Sequence, residues 1–124
     1  MRPSTSPGGT VLDLRVDHHA DEAVVRLRGE LDIQTSIQLR RLLCQLIAAG
    51  DRQIVLDLSD LGFIDSAGLG VLVGGLKRAR QRDGDLTLAC PRPVVANVLD
   101  MTGLSTVFEV LSEAPIHAES PSPT

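Results

Sequence analysis

Three observations predict a small α/β domain built on a mixed sheet. Four short segments, 11–16, 23–28, 53–58 and 86–90, carry the alternation or the near-unbroken apolar run of β-strands. Two longer ones, 34–49 and 65–82, repeat apolar residues at helical spacing, and Pro93 with Gly103 frames a third helix. After the second strand the two kinds interleave, and strands joined through helices lie parallel, with right-handed crossovers. The expected order is β-β-α-β-α-β-α-β, a four- to five-stranded sheet with helices packed on it.

In the first strand Leu12, Leu14 and Val16 share one side, and the polar run His18-His19-Ala20-Asp21-Glu22 reads as the turn of a hairpin. Its partner is Ala23-Val24-Val25-Arg26-Leu27-Arg28. Leu39, Leu42, Leu43, Leu46 and Ile47 make one stripe of the first helix, and Gly50 falls where a left-handed residue ends it. Gln53-Ile54-Val55-Leu56-Asp57-Leu58 suits a central strand covered on both faces. The second helix buries Leu69, Leu72, Val73, Leu76 and Ala79, and its last turns hold Lys77, Arg78, Arg80 and Arg82, cations that suit the negative end of a helix dipole. Leu86-Thr87-Leu88-Ala89-Cys90 is a strand, Pro93 opens a helix that runs to Met101, and 107–110 is a short last strand. Residues 1–9 and 115–124, dominated by Pro, Ser and Gly or by Ser-Pro steps, are expected to be disordered tails on a single domain, 10–114.

At 124 residues and 13.2 kDa the chain is one domain, able to bury about two thirds of its unfolded surface. Twelve Lys and Arg against sixteen Asp and Glu leave a net charge of −4, which argues against nucleic acid and anionic membranes as partners. The absence of Trp and Tyr removes base-stacking platforms as well. Cys44 and Cys90 match no metal or redox spacing and read as reduced, buried residues of a cytoplasmic protein. The N-terminus lacks the apolar core of a signal peptide, and no apolar run approaches a membrane span.

The informative segment is Leu61-Gly62-Phe63-Ile64-Asp65-Ser66-Ala67-Gly68-Leu69-Gly70, read as the join between the central strand and the second helix. Gly68, Gly70, Gly74 and Gly75 crowd that helix, each at a cost of about 1 kcal/mol against Ala. Either a second backbone packs close, for which Gly70 and Gly74 are one turn apart, or the exposed end admits a partner, which suits Gly68. Three enzyme patterns fail here. A nucleophile elbow would need Gly where Ile64 stands, and the histidines, His18, His19 and His117, fall in turn or tail segments. A phosphate loop would need Lys where Leu76 stands, and a dinucleotide loop Gly where Val73 stands. No catalytic residue, cofactor site or metal site is expected. What remains is Asp65 or Ser66 as a helix cap, or Ser66 as a phosphate acceptor at the positive end of the helix, with Ala67 and Gly68 keeping the approach open.

Asp65-Ser66-Ala67-Gly68-Leu69-Gly70 resembles the phosphorylation motif of the anti-sigma factor antagonists, bacterial proteins built on the STAS domain. Gly29-Glu30-Leu31-Asp32, Val55-Leu56-Asp57-Leu58 and Met101-Thr102-Gly103-Leu104, followed by Val107-Phe108, resemble further family segments in the right order, over residues 10–112. The resemblance implies a STAS-like sandwich and partner switching without catalysis by the chain itself. The unphosphorylated antagonist binds an anti-sigma factor that is also an ATP-dependent serine kinase, and so releases a sigma factor. Phosphorylation of Ser66 ends the complex, and a metal-dependent serine phosphatase resets it. Position 67 is Ala where many relatives carry Ser or Thr, which leaves Ser66 as the one hydroxyl of the motif.

By resemblance the partner-binding residues are Glu30, Asp32, Asp65, Ser66, Ala67, Gly68, Leu69 and Leu104. The residues alone allow plainer roles: Asp32 as a turn former or cap, Leu69 as core, Leu104 as the apolar contact after the Gly103 turn, Glu30 as a solvated charge. The side of the fold on which Arg92 lies is left open by the sequence. Two other functions compete, a STAS module of a stressosome-like scaffold or transporter accessory subunit, and a small nucleotide-binding or hydrolytic protein. Retention of Ser66 and the lack of a fused membrane region or extra N-terminal domain favour the antagonist over the scaffold, and the failed motifs weigh against the enzyme.

Overall fold

The structure, a computed structural model, describes residues 11–113; the expected tails lie outside the described residues. It consists of β1 (Leu12–His19), β2 (Glu22–Leu31), α1 (Ser36–Ala48), β3 (Gln53–Ile64), α2 (Ser66–Gln81), β4 (Asp85–Ala89), α3 (Pro93–Met101), a 3₁₀ turn (Leu104–Thr106) and β5 (Val110–Leu111). The five strands form one sheet in the order β1-β2-β3-β4-β5, with β1 antiparallel to β2 and each later neighbour parallel to the one before. This is the expected mixed sheet and element order.

β1 and β2 pair from Leu12↔Gly29 to His19↔Glu22, so the hairpin loop is Ala20 and Asp21 alone. His18 and His19 therefore belong to β1, not to the turn. Ala20 takes a positive φ of 52°, which lets the chain reverse in so few residues. Leu12, Leu27, Leu39, Leu43, Leu56, Leu58, Leu72, Leu76, Leu88, Val95, Leu99 and Phe108 belong to one buried cluster, with Leu14, Val16 and Leu69 packed at its margin. Val24, Val55 and Ala89 form a smaller buried group with Leu111 beside it. β3 is buried continuously from Ile54 to Leu58, as its apolar run requires. The one charge in that run, Asp57, is buried, pairs with Arg26 at 3.4 Å and accepts the Ser59 N–H at 3.0 Å.

α1 and α2 are each shorter at both ends than their apolar patterns suggest, while α3 has the expected bounds, Pro93–Met101. α1 starts at Ser36, because Gln34 and Thr35 are held in a preceding turn. Gly50 has φ +103° and Gly103 φ +79°, the left-handed stops expected after α1 and α3. The expected last strand at 107–110 is different. The chain makes a 3₁₀ turn, buries Phe108 and leaves only Val110–Leu111 paired with β4. Cys44 and Cys90 form no disulfide among the described residues and are half-buried, more open than their apolar neighbours imply, with the Cys90 thiol donating to the Ser112 carbonyl at 3.2 Å.

Candidate functional site

β3 does not stop at Leu58. It runs on through Ser59–Ile64, so the segment read as a join is strand up to the residue before Asp65. The register with β2 slips twice, between Arg26↔Asp57 and Arg28↔Asp60 and again between Gly29↔Leu61 and Glu30↔Phe63, each time leaving an extra residue on β3. Such bulges bend a strand and re-aim its side chains. They bring Leu31 opposite Ile64, so β2 and β3 end together and deliver their following loops to one place.

Asp65 joins the two loops. It is extended at φ −115° and ψ −172°, and its Oδ1 accepts the Gly68 N–H at 3.0 Å, which caps α2. Its Oδ2 accepts the Ile33 N–H at 3.2 Å, and its own N–H donates to the Leu31 carbonyl at 3.1 Å. Because Asp65 makes the cap, the hydroxyl of Ser66, the exposed first residue of α2, is not used for it. Ser66 sits beside N–H groups of the first helical turn, the end of a helix that favours negative charge.

Asp32 proves to be a turn former. Its Oδ1 accepts from Gln34 N–H at 2.9 Å and Thr35 N–H at 3.0 Å. The buried Thr35 hydroxyl accepts the Asp32 N–H at 3.0 Å and donates to the Glu30 carbonyl at 2.8 Å. Thr35 occupies the N-cap position of α1 without a side-chain cap bond. This turn lifts Ile33 clear of the core, 71% exposed, while Phe63 on β3 stands 45% exposed opposite Glu30. Sequence reasoning missed both. A large apolar residue inside an Asp-x-x-Thr turn was the available signal for Ile33.

The remaining expected residues divide by position. Glu30 is exposed, and Ala67 is half-buried next to Ser66. Gly68 is buried, and a Cβ there would stand 2.8 Å from Leu31 Cγ and 2.9 Å from the Leu31 carbonyl oxygen. It is thus the close-packing glycine of the first turn and does not keep an approach open. Gly75, whose Cβ would meet Leu43 at 2.8 Å, does the same between α1 and α2, while Gly70 faces open space, against the expectation for Gly70 and Gly74. Leu69 is half-buried against the core margin, and so is Leu104, at the start of the 3₁₀ turn. Arg92 is the exposed residue before α3. It follows β4 at the same end of the sheet as Ser66. However, β3 continues from its last β4 pairing, Asp57↔Ala89, to Ile64 before α2 starts, roughly 20 Å of strand, so the two helix starts are staggered.

Asp65 directly precedes Ser66, and its bond to the Ile33 N–H ties the turn that holds Asp32 to the start of α2. No cluster of three or more His, Cys, Asp or Glu able to hold a metal occurs among the described residues, and none of their helices is long and apolar enough to cross a membrane.

Comparison with known proteins gives one consistent result. Residues 13–118 match the STAS domain family. The anti-sigma F factor antagonist of Paenibacillus polymyxa is 37% identical over 100 residues, covering 80% of this chain and 86% of that one. The anti-sigma factor antagonist SpoIIAA in its unphosphorylated form has a TM-score of 0.72 at 25% identity, covering 90% of this chain and 100% of that one. The Bacillus cell fate determinant SpoIIAA in its phosphorylated form has a TM-score of 0.67 at 25% identity, covering 86% and 95%.

Proposed function

Since the chain belongs to the STAS domain family, among the anti-sigma factor antagonists, we propose that it is a phosphorylation-switched antagonist acting in the cytoplasm. Unphosphorylated, it binds an anti-sigma factor that is also an ATP-dependent serine kinase, and the sigma factor is released. The kinase transfers phosphate to Ser66, the complex dissociates, and a metal-dependent serine phosphatase restores the binding form. The chain is substrate and ligand in this cycle, and its partner is the catalyst.

The observation that carries this reading is the exposed Ser66 at the first position of α2, with the capping bond supplied by Asp65 instead. A hydroxyl in that place is open to an incoming kinase, and the phosphate it would carry meets N–H groups and a favourable dipole. Support comes also from SpoIIAA, solved in both an unphosphorylated and a phosphorylated form. In this reading Glu30, Asp32, Ala67, Leu69 and Leu104 are partner contacts, and Gly68 contributes by holding α2 against β2.

The direct experiment is incubation with the cognate kinase and ATP, followed by intact-mass analysis. The wild-type chain should gain one phosphate and Ser66→Ala none. A phosphate retained on Ser66→Ala would move the site elsewhere.

A further inference from the structure

A groove between α1 and α2 begins at Ala67, the residue after Ser66. Ser66 and Gly70 lie one turn apart on the same side of α2. Ala67, Gly70, Val71 and Gly74 line a recess of about 390 Å³, with Ser36 and Arg40 on the α1 side and Arg78 at the far end. Its floor is low because Gly70 has no side chain where a Cβ would meet only open space. Arg78 reaches back over Gly74, its Nη1 3.3 Å from where a Cβ would stand, so its charge is directed along the groove towards Ser66. Arg26 and Arg80 are paired with Asp57 and Asp85, but neither Arg40 nor Arg78 pairs with a carboxylate among the described residues. Two uncompensated guanidinium groups thus face one recess in a chain whose net charge is −4.

We propose that this groove docks an acidic segment of the kinase; the proposal rests on the function given above and deepens it. Guanidinium groups recognise carboxylates with directional, charge-assisted hydrogen bonds, and a floor of Ala and Gly lets a partner's backbone approach closely. The face is bipolar. At one end Asp65 precedes Ser66 and is tied through the Ile33 N–H to the turn that holds Asp32, while Arg40 and Arg78 lie along the groove. An acidic segment laid the opposite way would meet those carboxylates, so the charge pattern selects one orientation, the one that presents the Ser66 hydroxyl to the kinase.

The test uses the full chain and, as probe, the purified kinase that phosphorylates its Ser66. The double variant Arg40→Glu with Arg78→Glu should lose about tenfold or more in affinity and lose most of its salt dependence, at unchanged melting temperature. Gly70→Gln, which fills the recess without charge, should weaken binding as well. Arg15→Glu with Arg52→Glu makes the same change in net charge away from the groove and should stay within about twofold of wild type. The proposal is overturned if the groove variant binds like wild type, or if the remote pair loses as much. It is equally overturned if the groove variant changes only self-association in sedimentation, which would assign the groove to a second copy. A wild-type chain that neither binds a kinase nor takes phosphate on Ser66 would instead remove the underlying function, and this proposal with it.

Discussion

Asp65 divides its carboxylate between two segments, with one oxygen on the Gly68 N–H and the other on the Ile33 N–H, 32 residues away in sequence. Removing it takes away a helix cap and the tie between loops together. Asp65→Ala should therefore lower stability by about 1–2 kcal/mol, read as a denaturant midpoint shift. A midpoint equal to wild type would mean that neither bond contributes. The two neighbouring glycines differ more sharply. Gly68→Ala forces a methyl group against Leu31 and its carbonyl and should cost about 1–3 kcal/mol, whereas Gly70→Ala meets open space and should stabilise α2 by up to about 1 kcal/mol. If the two variants melt alike, the packing assigned to Gly68 is wrong. A cap at Asp65 or Ser66 was legible in the sequence because capping is a local rule, and the structure gives it to Asp65. Which of the four glycines is crowded was not, because the crowding atoms belong to Leu31, Ile64 and Leu43 on other elements.

At the level of elements, the site is made by a turn and two bulges. The 32–35 turn needs the Asp32 oxygen as an acceptor, which Asn also supplies, so Asp32→Asn should keep the turn and the fold. If Asp32 also meets the kinase as an anion, Asn should slow Ser66 phosphorylation while leaving the denaturant midpoint in place. A lowered midpoint with an unchanged rate would make the residue purely structural. The helical stripes and the β3 apolar run were read correctly because each is a period within one segment. The extension of β3 to Ile64 was hidden for the opposite reason. Ser59, Asp60 and Gly62 break the alternation, and their place in the strand follows from the slipped register with β2. The 3₁₀ turn at Leu104–Thr106 was lost in the same way, since Phe108 is drawn into the core while Val107 beside it stays exposed.

For the whole molecule the proposed function raises the question of how a phosphate on Ser66 would end binding. A dianion at the start of α2 is locally favourable and calls for no rearrangement of the sheet. In the proposed cycle the penalty would fall at the interface, where the phosphate, next to Asp65, would meet a kinase still holding nucleotide phosphates. Forcing such groups together costs several kcal/mol, a loss of about a thousandfold in affinity. Calorimetry with the nucleotide-loaded kinase should record that loss, while amide shifts of the free chain change only near residues 31–37 and 63–70. Shifts spread across the sheet would show that a conformational change does the switching. The limits of the domain are open to an equally simple check. A chain of residues 10–114 should melt with the full-length protein, and a clear deficit repaired by 10–118, where the family match ends, would place the boundary later.

The strand order has a consequence for the route by which the chain folds. Because spatial order equals sequence order, each strand can add to the edge left by the one before, and none has to be inserted between two already in place. The two-residue hairpin has the smallest loop-closure cost of any pairing in the sheet, and every other pairing closes only one strand–helix–strand loop. The Leu31–Asp65 and Ile33–Asp65 bonds form only after β3 has docked along the full length of β2. A chain in which β3 has not yet docked on β2 therefore has no organised Ser66 surface, and a kinase that recognises that surface would pass it over.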